Sequence, residues 1–275
     1  NFASVRGVVA TGNKLIVAQS QGGVFLLDPG KEIFGELAYP HGADGDSVKK
    51  WLLSDFISGI FTLENGNFMV AGSQRIFYIN KKDNLVSPVL FKGKEKIQYT
   101  RIIYEDRQRR LWFLGGPGIT VTDGNFRILH RISDPKLNGI YTNSITQVAD
   151  TSFWIAWEGL HEISLGIKNE MRFNPIFTDI PKQVFFNIFK DTAGYSWASG
   201  EKGIYKLYPD KKSYQLFDQS ENVLNFQYSS AIPFRSNDGK VFLPGFNGVT
   251  YFNPENFTHE KDGLHTIISS VKIND

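Results

Sequence analysis

The chain has 275 residues, of which 41% are hydrophobic and 14% aromatic, and it contains no cysteine, which excludes disulfide bonds, thiolate metal sites and cysteine nucleophiles. Its 30 Lys and Arg residues nearly balance 28 Asp and Glu residues and are mostly scattered, which is not the charge distribution of a nucleic-acid-binding protein. No apolar run approaches the roughly 18 residues of a membrane-spanning helix, and the sequence opens at Asn1 without an initiator Met or a basic and apolar leader, so we expect a soluble piece cut from a longer protein.

Six segments in succession share one pattern. Each has a polar turn, a bulky residue among small ones, a second turn that usually ends in Gly, and an apolar strand. The bulky residues are separated by 53, 43, 42, 43 and 45 positions. Four short strands repeating every 40 to 45 residues or so are typical of the blades of a β-propeller. In chain order, the bulky residues are Ile16, Met69, Trp112, Trp154, Trp197 and Phe242.

The second turn of most repeats has Gly directly before the next strand, as in Gly118-Ile119 and Gly203-Ile204, while Arg75 is the exception. Gly suits a hairpin position with positive φ. Helical periodicity is not sustained anywhere, which favours an all-β fold. We therefore predict a propeller of four-stranded blades over residues 1–262, with six or seven blades. A sandwich or barrel is the weaker alternative, because such folds do not repeat one motif six times.

The fifth repeat carries the most specific motif. Asp191, Gly194 and Trp197 follow the order Asp, two residues, Gly, two residues, Trp, and a strand of small residues and a Gly-led apolar strand come next. This motif resembles the repeat of the two-component regulator propellers, which are periplasmic sensor regions of hybrid two-component systems in Bacteroidetes. The third repeat keeps Asp106 and Trp112, although Arg109 stands in place of the Gly.

The end of the chain adds to the resemblance. Residues 252–254 read Phe-Asn-Pro, and an alternating Ile-Ser-Ser-Val-Lys-Ile segment follows. In the two-component regulator family the last blade is followed in this way by an immunoglobulin-like domain, so residues 263–275 are expected to begin that domain or a linker strand. The family typically has seven blades, whereas six repeats are visible here, and the sequence leaves the blade number open.

The resemblance implies a sensor function. We expect a periplasmic domain of an inner-membrane protein that recognises an oligosaccharide or another small ligand, with kinase activity outside this chain. The implied partners are a neighbouring propeller, the immunoglobulin-like domain and a second copy in a homodimer, without a cofactor or nucleic acid. Two alternatives stay open: a propeller for protein interaction or dimerisation without its own small ligand, and a glycan-cleaving enzyme.

Catalytic motifs are not apparent in the sequence. The five histidines occupy unrelated repeat positions without metal-ligand spacing, and the Glu105-Asp106 pair lies in a turn between predicted strands. Neither a Gly-x-Ser-x-Gly motif nor a phosphate-binding loop occurs. We therefore predict no catalytic residue and no metal site.

A ligand site is expected where loops meet around the propeller axis. The loop entering the innermost strand and the loop between the second and third strands open on the same face, where they form a concavity. Their aromatic, amide and charged residues suit a sugar, whose rings stack on aromatic faces while its hydroxyls form hydrogen bonds. The predicted ligand-binding residues are Arg75, Tyr99, Arg101, Trp157, Glu158, Glu201, Lys202, Phe246 and Asn247.

Overall fold

The computed structural model describes residues 4–92, 97, 99–115, 118–132, 142–166, 171–221, 223, 227–246 and 248–256. These residues form six antiparallel sheets that follow one another along the chain, and their first strands surround a common axis. Five sheets have four strands and the sixth has three in the described part. The predicted all-β propeller is confirmed. The predicted start of a following domain, residues 263–275, lies outside the described residues.

The first three blades contain β1 to β12. Within each blade the strands pair in sequence order, so the first strand is innermost and the last is outermost. The strands are β1 Val5–Thr11, β2 Lys14–Gln19, β3 Gly23–Asp28, β4 Ile33–Gly35, β5 Ile57–Thr62, β6 Phe68–Gly72, β7 Ile76–Ile79, β8 Val86–Pro88, β9 Ile102–Glu105, β10 Leu111–Gly115, β11 Gly118–Thr122 and β12 Ile128–Ile132.

Blades 4 to 6 contain the remaining strands, in the same order of pairing. They are β13 Ser144–Ala149, β14 Ser152–Trp157, β15 Gly159–Leu165, β16 Met171–Ile176, β17 Phe185–Lys190, β18 Ser196–Gly200, β19 Gly203–Leu207, β20 Tyr214–Phe217, β21 Phe234–Arg235, β22 Val241–Gly245 and β23 Gly248–Phe252.

One helix interrupts the repeat between blades 1 and 2. Helix α1, Ala43–Ser54, packs through Val48 and Leu52 against the hydrophobic cluster shared by these blades. It accounts for the long separation of 53 positions between Ile16 and Met69. The sequence analysis did not anticipate this helix, because its buried face is narrow and its other positions are largely polar.

The Gly before the third strand has a steric role in blade 5. Gly203 has a φ of 147°, and a Cβ placed there would lie 2.2 Å from the carbonyl oxygen of Phe217 in the outermost strand. Only glycine allows this approach between the β18–β19 turn and β20. The predicted reason for the repeated Gly, a positive φ, is confirmed at this turn.

Five hydrophobic clusters join the six blades, one for each successive pair. In blades 1 to 5, the bulky residue of the second strand packs in the cluster shared with the next blade along the chain. Trp112 of blade 3 contacts Phe153 of blade 4, with ring centroids 4.1 Å apart, and Trp197 of blade 5 contacts Phe252 of blade 6 at 5.3 Å. The anchors of the first five blades are at most 2% exposed, as predicted: Ile16, Met69, Trp112, Trp154 and Trp197.

The sixth anchor differs from the prediction. Phe242 is only partly buried, and it lies in a row between Phe234 and Tyr251, which are 64% and 63% exposed. The expectation of an equivalent buried position is therefore wrong for this residue. The physical reason is that, in the described part of the chain, no hydrophobic cluster covers the face of blade 6 that points away from blade 5.

Two anchors are also bound by the Asp of the repeat. An Oδ2 atom accepts the indole Nε1–H in both the Asp106–Trp112 and the Asp191–Trp197 pair, each at 2.8 Å. Val148 stands at the equivalent position in blade 4, so the buried Nε1 of Trp154 has no hydrogen-bond partner among the described residues. The Asp, six residues before the Trp, thus satisfies a donor that packing between blades would otherwise leave unpaired.

The first prediction compares two otherwise similar substitutions, Trp112→Phe and Trp154→Phe. Both remove a similar volume from a buried interface, but only Trp112→Phe removes a donor from a buried carboxylate. We expect Trp112→Phe to lower the free energy of unfolding by about 1–2 kcal/mol more than Trp154→Phe, the usual cost of losing such a hydrogen bond. Urea unfolding measures the difference, and equal losses in the two variants would contradict this role for Asp106.

Candidate functional site

A cavity of about 690 Å³ lies on the propeller axis. Strands β1, β5, β9, β13 and β17 line it together with the segment 229–232 that precedes β21, so every described blade contributes its inner edge. This volume is within the range of small-molecule sites, roughly 300–1,000 Å³. The lining residues that matter for recognition are Arg6, Phe56, Tyr99, Arg101, Asn143 and Ser230.

Backbone contacts position the rim of the cavity at blade 3. The Tyr99 N–H donates to the carbonyl of Ser73 at 2.9 Å, and the Arg101 N–H donates to the carbonyl of Leu114 at 2.8 Å. Tyr99 has a φ of 54°, in the left-handed region that non-glycine residues seldom adopt, and its side chain is 64% exposed. A Cβ on Gly115 would lie 2.2 Å from the Tyr99 carbonyl oxygen, so glycine permits this arrangement.

Side-chain amides of the inner strands link one blade to the next. Asn143 Nδ2 donates to the carbonyl of Phe185 at 2.8 Å, and Asn187 Nδ2 donates to the carbonyl of Ser229 at 2.9 Å. Ser144 Oγ donates to the carbonyl of Ile188 at 3.1 Å. These bonds hold the inner strands of blades 4, 5 and 6 at fixed distances, which makes the cavity wall rigid.

Two arginines, Arg6 and Arg101, are among the described residues that line the cavity. Arg101 Nη2 of blade 3 donates to Ser230 Oγ of blade 6 at 2.8 Å, a contact that crosses the axis. The guanidinium carbon of Arg6 lies 5.4 Å from the ring centroid of Phe56, within the range of a cation–π interaction. Among the described residues that line the cavity there is no Asp, Glu or His, the groups most often used as general bases.

The structure brings two of the predicted ligand-binding residues together at the cavity, namely Tyr99 and Arg101. Arg75 does not line it. The Arg75 guanidinium carbon lies 4.7 Å from the ring centroid of Trp51 in helix α1, a residue whose position the sequence analysis did not anticipate. Phe246 is 76% exposed outside the cavity lining, and Asn247 lies outside the described residues.

The other predicted residues lie on blades 4 and 5, away from the cavity lining. Trp157 packs near His161, with ring centroids 5.8 Å apart, and Glu158 forms an exposed ion pair with Lys182 at 3.6 Å. Glu201 accepts the backbone N–H of Val184 at 3.3 Å. Lys202 is exposed, and its backbone N–H donates to Gln183.

The sequence analysis did not include Arg6, Phe56 and Ser230 among the site residues. A signal for Arg6 and Phe56 was present, because Arg6 lies in the first strand of blade 1 and Phe56 directly precedes that of blade 2, and the first strand of each blade is innermost. The segment with Ser230 had no strand pattern comparable to that of the other blades. Its position depends on the packing of Tyr228, which is 1% exposed, into the cluster between blades 5 and 6.

These features define a β-propeller domain with an axial cavity of polar and aromatic residues. No family model and no curated protein matches the chain. Among solved structures, it is similar to the extracellular domain of BT3049 from B. thetaiotaomicron, a protein assigned as a hybrid two-component system. The sequences are 18% identical, the match covers 92% of this chain and 39% of that chain, and the TM-score is 0.63.

Two further structures extend the comparison. The extracellular domain of BT4673 from B. thetaiotaomicron, assigned likewise, is 14% identical over 92% of this chain and 42% of that chain, with a TM-score of 0.56. Virginiamycin B lyase from Staphylococcus aureus is 13% identical over 93% of this chain and 83% of that chain, with a TM-score of 0.64. The chain thus spans about two fifths of each sensor structure. The predicted resemblance to these sensor propellers is confirmed at the level of the fold. Virginiamycin B lyase has a similar fold.

The described ranges contain no group of three or more Asp, Glu or His side chains placed to hold a metal ion. None of their helices is both long enough and apolar enough to cross a bilayer.

His161 lies near Trp157 in blade 4, with ring centroids 5.8 Å apart. Its ring stacks on Phe173 with centroids 4.7 Å apart, and burial lowers its pKa below the ordinary value of 6.5. Its Nδ1 is buried and unpaired among the described residues. The folded state therefore favours the neutral imidazole.

The second prediction follows from this pKa. A group whose pKa is lower in the folded state stabilises the fold above its unfolded pKa, near 6.5, and this stability is lost as the pH falls. We expect the melting temperature to fall between about pH 7 and pH 5, and the fall to be smaller in His161→Phe, which keeps the contact with Phe173. The control is His41→Gln at an exposed position. A fall that is the same in His161→Phe and the wild type would contradict the assignment.

Proposed function

We propose that this chain is the ligand-binding propeller of a periplasmic sensor and that it recognises an oligosaccharide in the axial cavity. The sensor then signals to a histidine kinase that lies outside this chain. The observation that carries the proposal is the convergence of all six described blades on one cavity of about 690 Å³. Similarity of fold to two extracellular sensor domains supports it. Apolar side chains such as Phe56, Ile103 and Ile145 make up most of the described lining, with a few polar groups among them, as is usual for small-molecule sites.

The chemistry of the lining favours a sugar. Tyr99 and Phe56 are 64% and 43% exposed at the cavity, and their rings can stack on the apolar face of a pyranose. Asn143, Ser73 and Ser230 supply amide and hydroxyl groups for sugar hydroxyls. Rigid aromatic faces with a few polar groups give orientation as well as affinity.

The same cavity offers a route for signalling. Arg101 and Ser230 connect blades 3 and 6 across the axis, so a ligand that replaces this hydrogen bond alters a contact between opposite sides of the ring. We place the receiving surface on a neighbouring propeller or immunoglobulin-like domain of the full-length protein. Both sensor structures in the comparison are longer than this chain, which leaves room for such domains.

The third prediction tests binding with Tyr99→Ala and a matched control, Tyr251→Ala. Tyr251 has nearly the same exposure, 63%, but lies on blade 6 outside the cavity lining. Isothermal titration with a panel of neutral and acidic plant and host oligosaccharides should identify a ligand. We expect Tyr99→Ala to raise the Kd of that ligand by roughly tenfold, equivalent to about 1.4 kcal/mol, and Tyr251→Ala to leave the Kd unchanged.

The proposal is wrong if no member of the panel binds or if Tyr99→Ala binds as well as the wild type. Release of reducing ends from the panel would instead indicate the glycan-cleaving alternative.

A second candidate function, dimerisation, is favoured by the open face of blade 6. Phe234, Phe242 and Tyr251 form a continuous aromatic row with neighbouring centroids 5.8 and 5.5 Å apart. Exposed apolar patches of this kind mark interaction surfaces. A second copy of the chain is the partner that we test.

The fourth prediction concerns this row. Sedimentation velocity over a concentration series should show a dimer that becomes a monomer when Phe234 and Tyr251 are both replaced by Ser, because the two substitutions remove the exposed ends of the row. The paired replacement of Val5 and Ile33 on blade 1 by Ser, at similarly exposed positions, serves as the control. A wild-type protein that remains monomeric at all concentrations would eliminate dimerisation through this face.

A further inference from the structure

We infer that Asp55 is a positioning residue for the ligand of the axial cavity, because its buried carboxylate fixes the β6–β7 turn, residues 73–75, which holds Phe56 and Tyr99 at the cavity. This inference rests on the proposed function and adds to it a residue that is not itself part of the described lining. Asp55 is 3% exposed and stands between the end of helix α1 and the start of β5.

The carboxylate of Asp55 accepts hydrogen bonds from three consecutive residues of the turn. Ser73 Oγ donates to Oδ1 at 2.7 Å, the Gln74 N–H donates to both oxygens at 3.1 and 3.2 Å, and the Arg75 N–H donates to Oδ2 at 3.0 Å. Hydrogen bonds to an ionised acceptor are stronger than those between neutral groups. One side chain therefore restrains the whole turn.

The residues around Asp55 are arranged for this contact. A Cβ on Gly72 would lie 2.5 Å from Asp55 Oδ2, so glycine leaves the room that the carboxylate occupies. The Asp55 N–H donates to the carbonyl of Trp51 at 3.0 Å and so ends helix α1. An acidic side chain is unfavourable at a helix C-terminus. The helix thus gives no reason for an Asp at this position, whereas the three donors of the turn do.

The turn connects this carboxylate to the cavity. The Ser73 N–H donates to the carbonyl of Phe56, and the Ser73 carbonyl accepts the Tyr99 N–H, each at 2.9 Å. Phe56, Ser73 and Tyr99 all line the cavity. The two aromatic residues that we propose to stack on a sugar therefore have their backbones bound to the same serine, which Asp55 holds in place.

Tyr99 depends on this support because of its backbone conformation. Its φ of 54° lies in the left-handed region, where a non-glycine residue stays only when its surroundings hold it. The bond to the Ser73 carbonyl is one of the contacts that do so. A ring that is already in place binds a ligand more tightly, because ordering a side chain during binding reduces the affinity.

Blade 5 has a comparable arrangement away from the cavity. Gln183, like Asp55, stands two residues before the first strand of its blade, and it is 5% exposed. Its Oε1 accepts the Lys202 N–H of the β18–β19 turn at 3.2 Å, and a Cβ on Gly200 would lie 2.7 Å from this oxygen. Neither Gln183 nor Lys202 belongs to the described lining. A substitution of Gln183 therefore loosens a similar turn without reaching the ligand.

The fifth prediction compares Asp55→Ala with Gln183→Leu by amide hydrogen exchange, which needs no ligand. We expect Asp55→Ala to speed exchange of the Arg75 and Tyr99 amides by about tenfold or more, because both lose the restraint on the turn. Gln183→Leu should speed exchange at Lys202 and leave Tyr99 unchanged. Urea unfolding of each variant establishes that the comparison is made on folded protein.

Isothermal titration then measures the effect on binding, with the oligosaccharide of the neutral and acidic panel that binds the wild type most tightly as the probe. We expect Asp55→Ala to raise its Kd by about tenfold and Gln183→Leu to leave it unchanged. Asp55→Asn should raise it by no more than about threefold, because an amide still accepts from backbone N–H groups and can donate to Ser73 Oγ. The effect of Asp55→Ala should also shrink in a Tyr99→Ala background, since the two residues act together.

The outcomes separate this role from the proposed function. Unchanged exchange at Tyr99 in Asp55→Ala, or an unchanged Kd where Tyr99→Ala raises it, would show that Asp55 does not position the ligand site, and the sensor proposal would stand. An equal rise of Kd in Gln183→Leu, or fully multiplicative effects of Asp55→Ala and Tyr99→Ala, would overturn the role in the same way. If no oligosaccharide of the panel binds the wild type, the proposed function is wrong and the positioning role of Asp55 is rejected with it.

Discussion

Packing of one blade against the next is the constraint on which the rest of this propeller depends. A four-stranded sheet has two faces, and both must be covered where the sheet stands between neighbours. The second-strand anchor covers one face, as Trp112 does against Phe153. Two of these anchors are Trp residues whose indole N–H groups donate to an Asp six residues earlier. The turn before the strand and the interface between blades are therefore stabilised together.

The same constraint explains why blade 6, whose far face has no such cover among the described residues, leaves Phe234 and Tyr251 exposed.

The cavity is a consequence of this packing. Because each sheet is fixed at its faces, its first strand is held at the axis, and side-chain amides such as Asn143 and Asn187 connect neighbouring inner strands. Recognition groups are then placed on the inner strands or on the segments that enter them, so the packed sheets support them, which favours selective binding. Arg101 occupies a special position in this wall, since its bond to Ser230 spans the axis and its charge faces the cavity.

A propeller fold by itself does not define a function, because sensors and a lyase share it at 13–18% sequence identity with this chain. The distinction has to come from the cavity. Its described lining combines aliphatic and aromatic side chains with amides, hydroxyl groups and two guanidinium groups. The open face of blade 6 is a separate surface with different chemistry, and a ligand in the cavity and a partner on that face can be present together.

The sequence by itself determined the repeat, the all-β class, the buried anchors of five blades and the roles of turn residues such as Gly203. These features are local, since a strand pattern and a glycine at positive φ depend on a few neighbouring residues. Helix α1 was missed because its buried residues are few, namely Gly45, Val48 and Leu52. For the candidate site, sequence reasoning included Tyr99 and Arg101 but placed Trp157, Glu158 and Glu201 beside them. Only the tertiary structure decided that these three contact His161, Lys182 and Val184 instead, while Arg6, Phe56 and Ser230 reach the cavity. Which side chains meet at the axis depends on the rotation and spacing of whole blades, and that geometry arises from contacts between residues that are far apart in the chain.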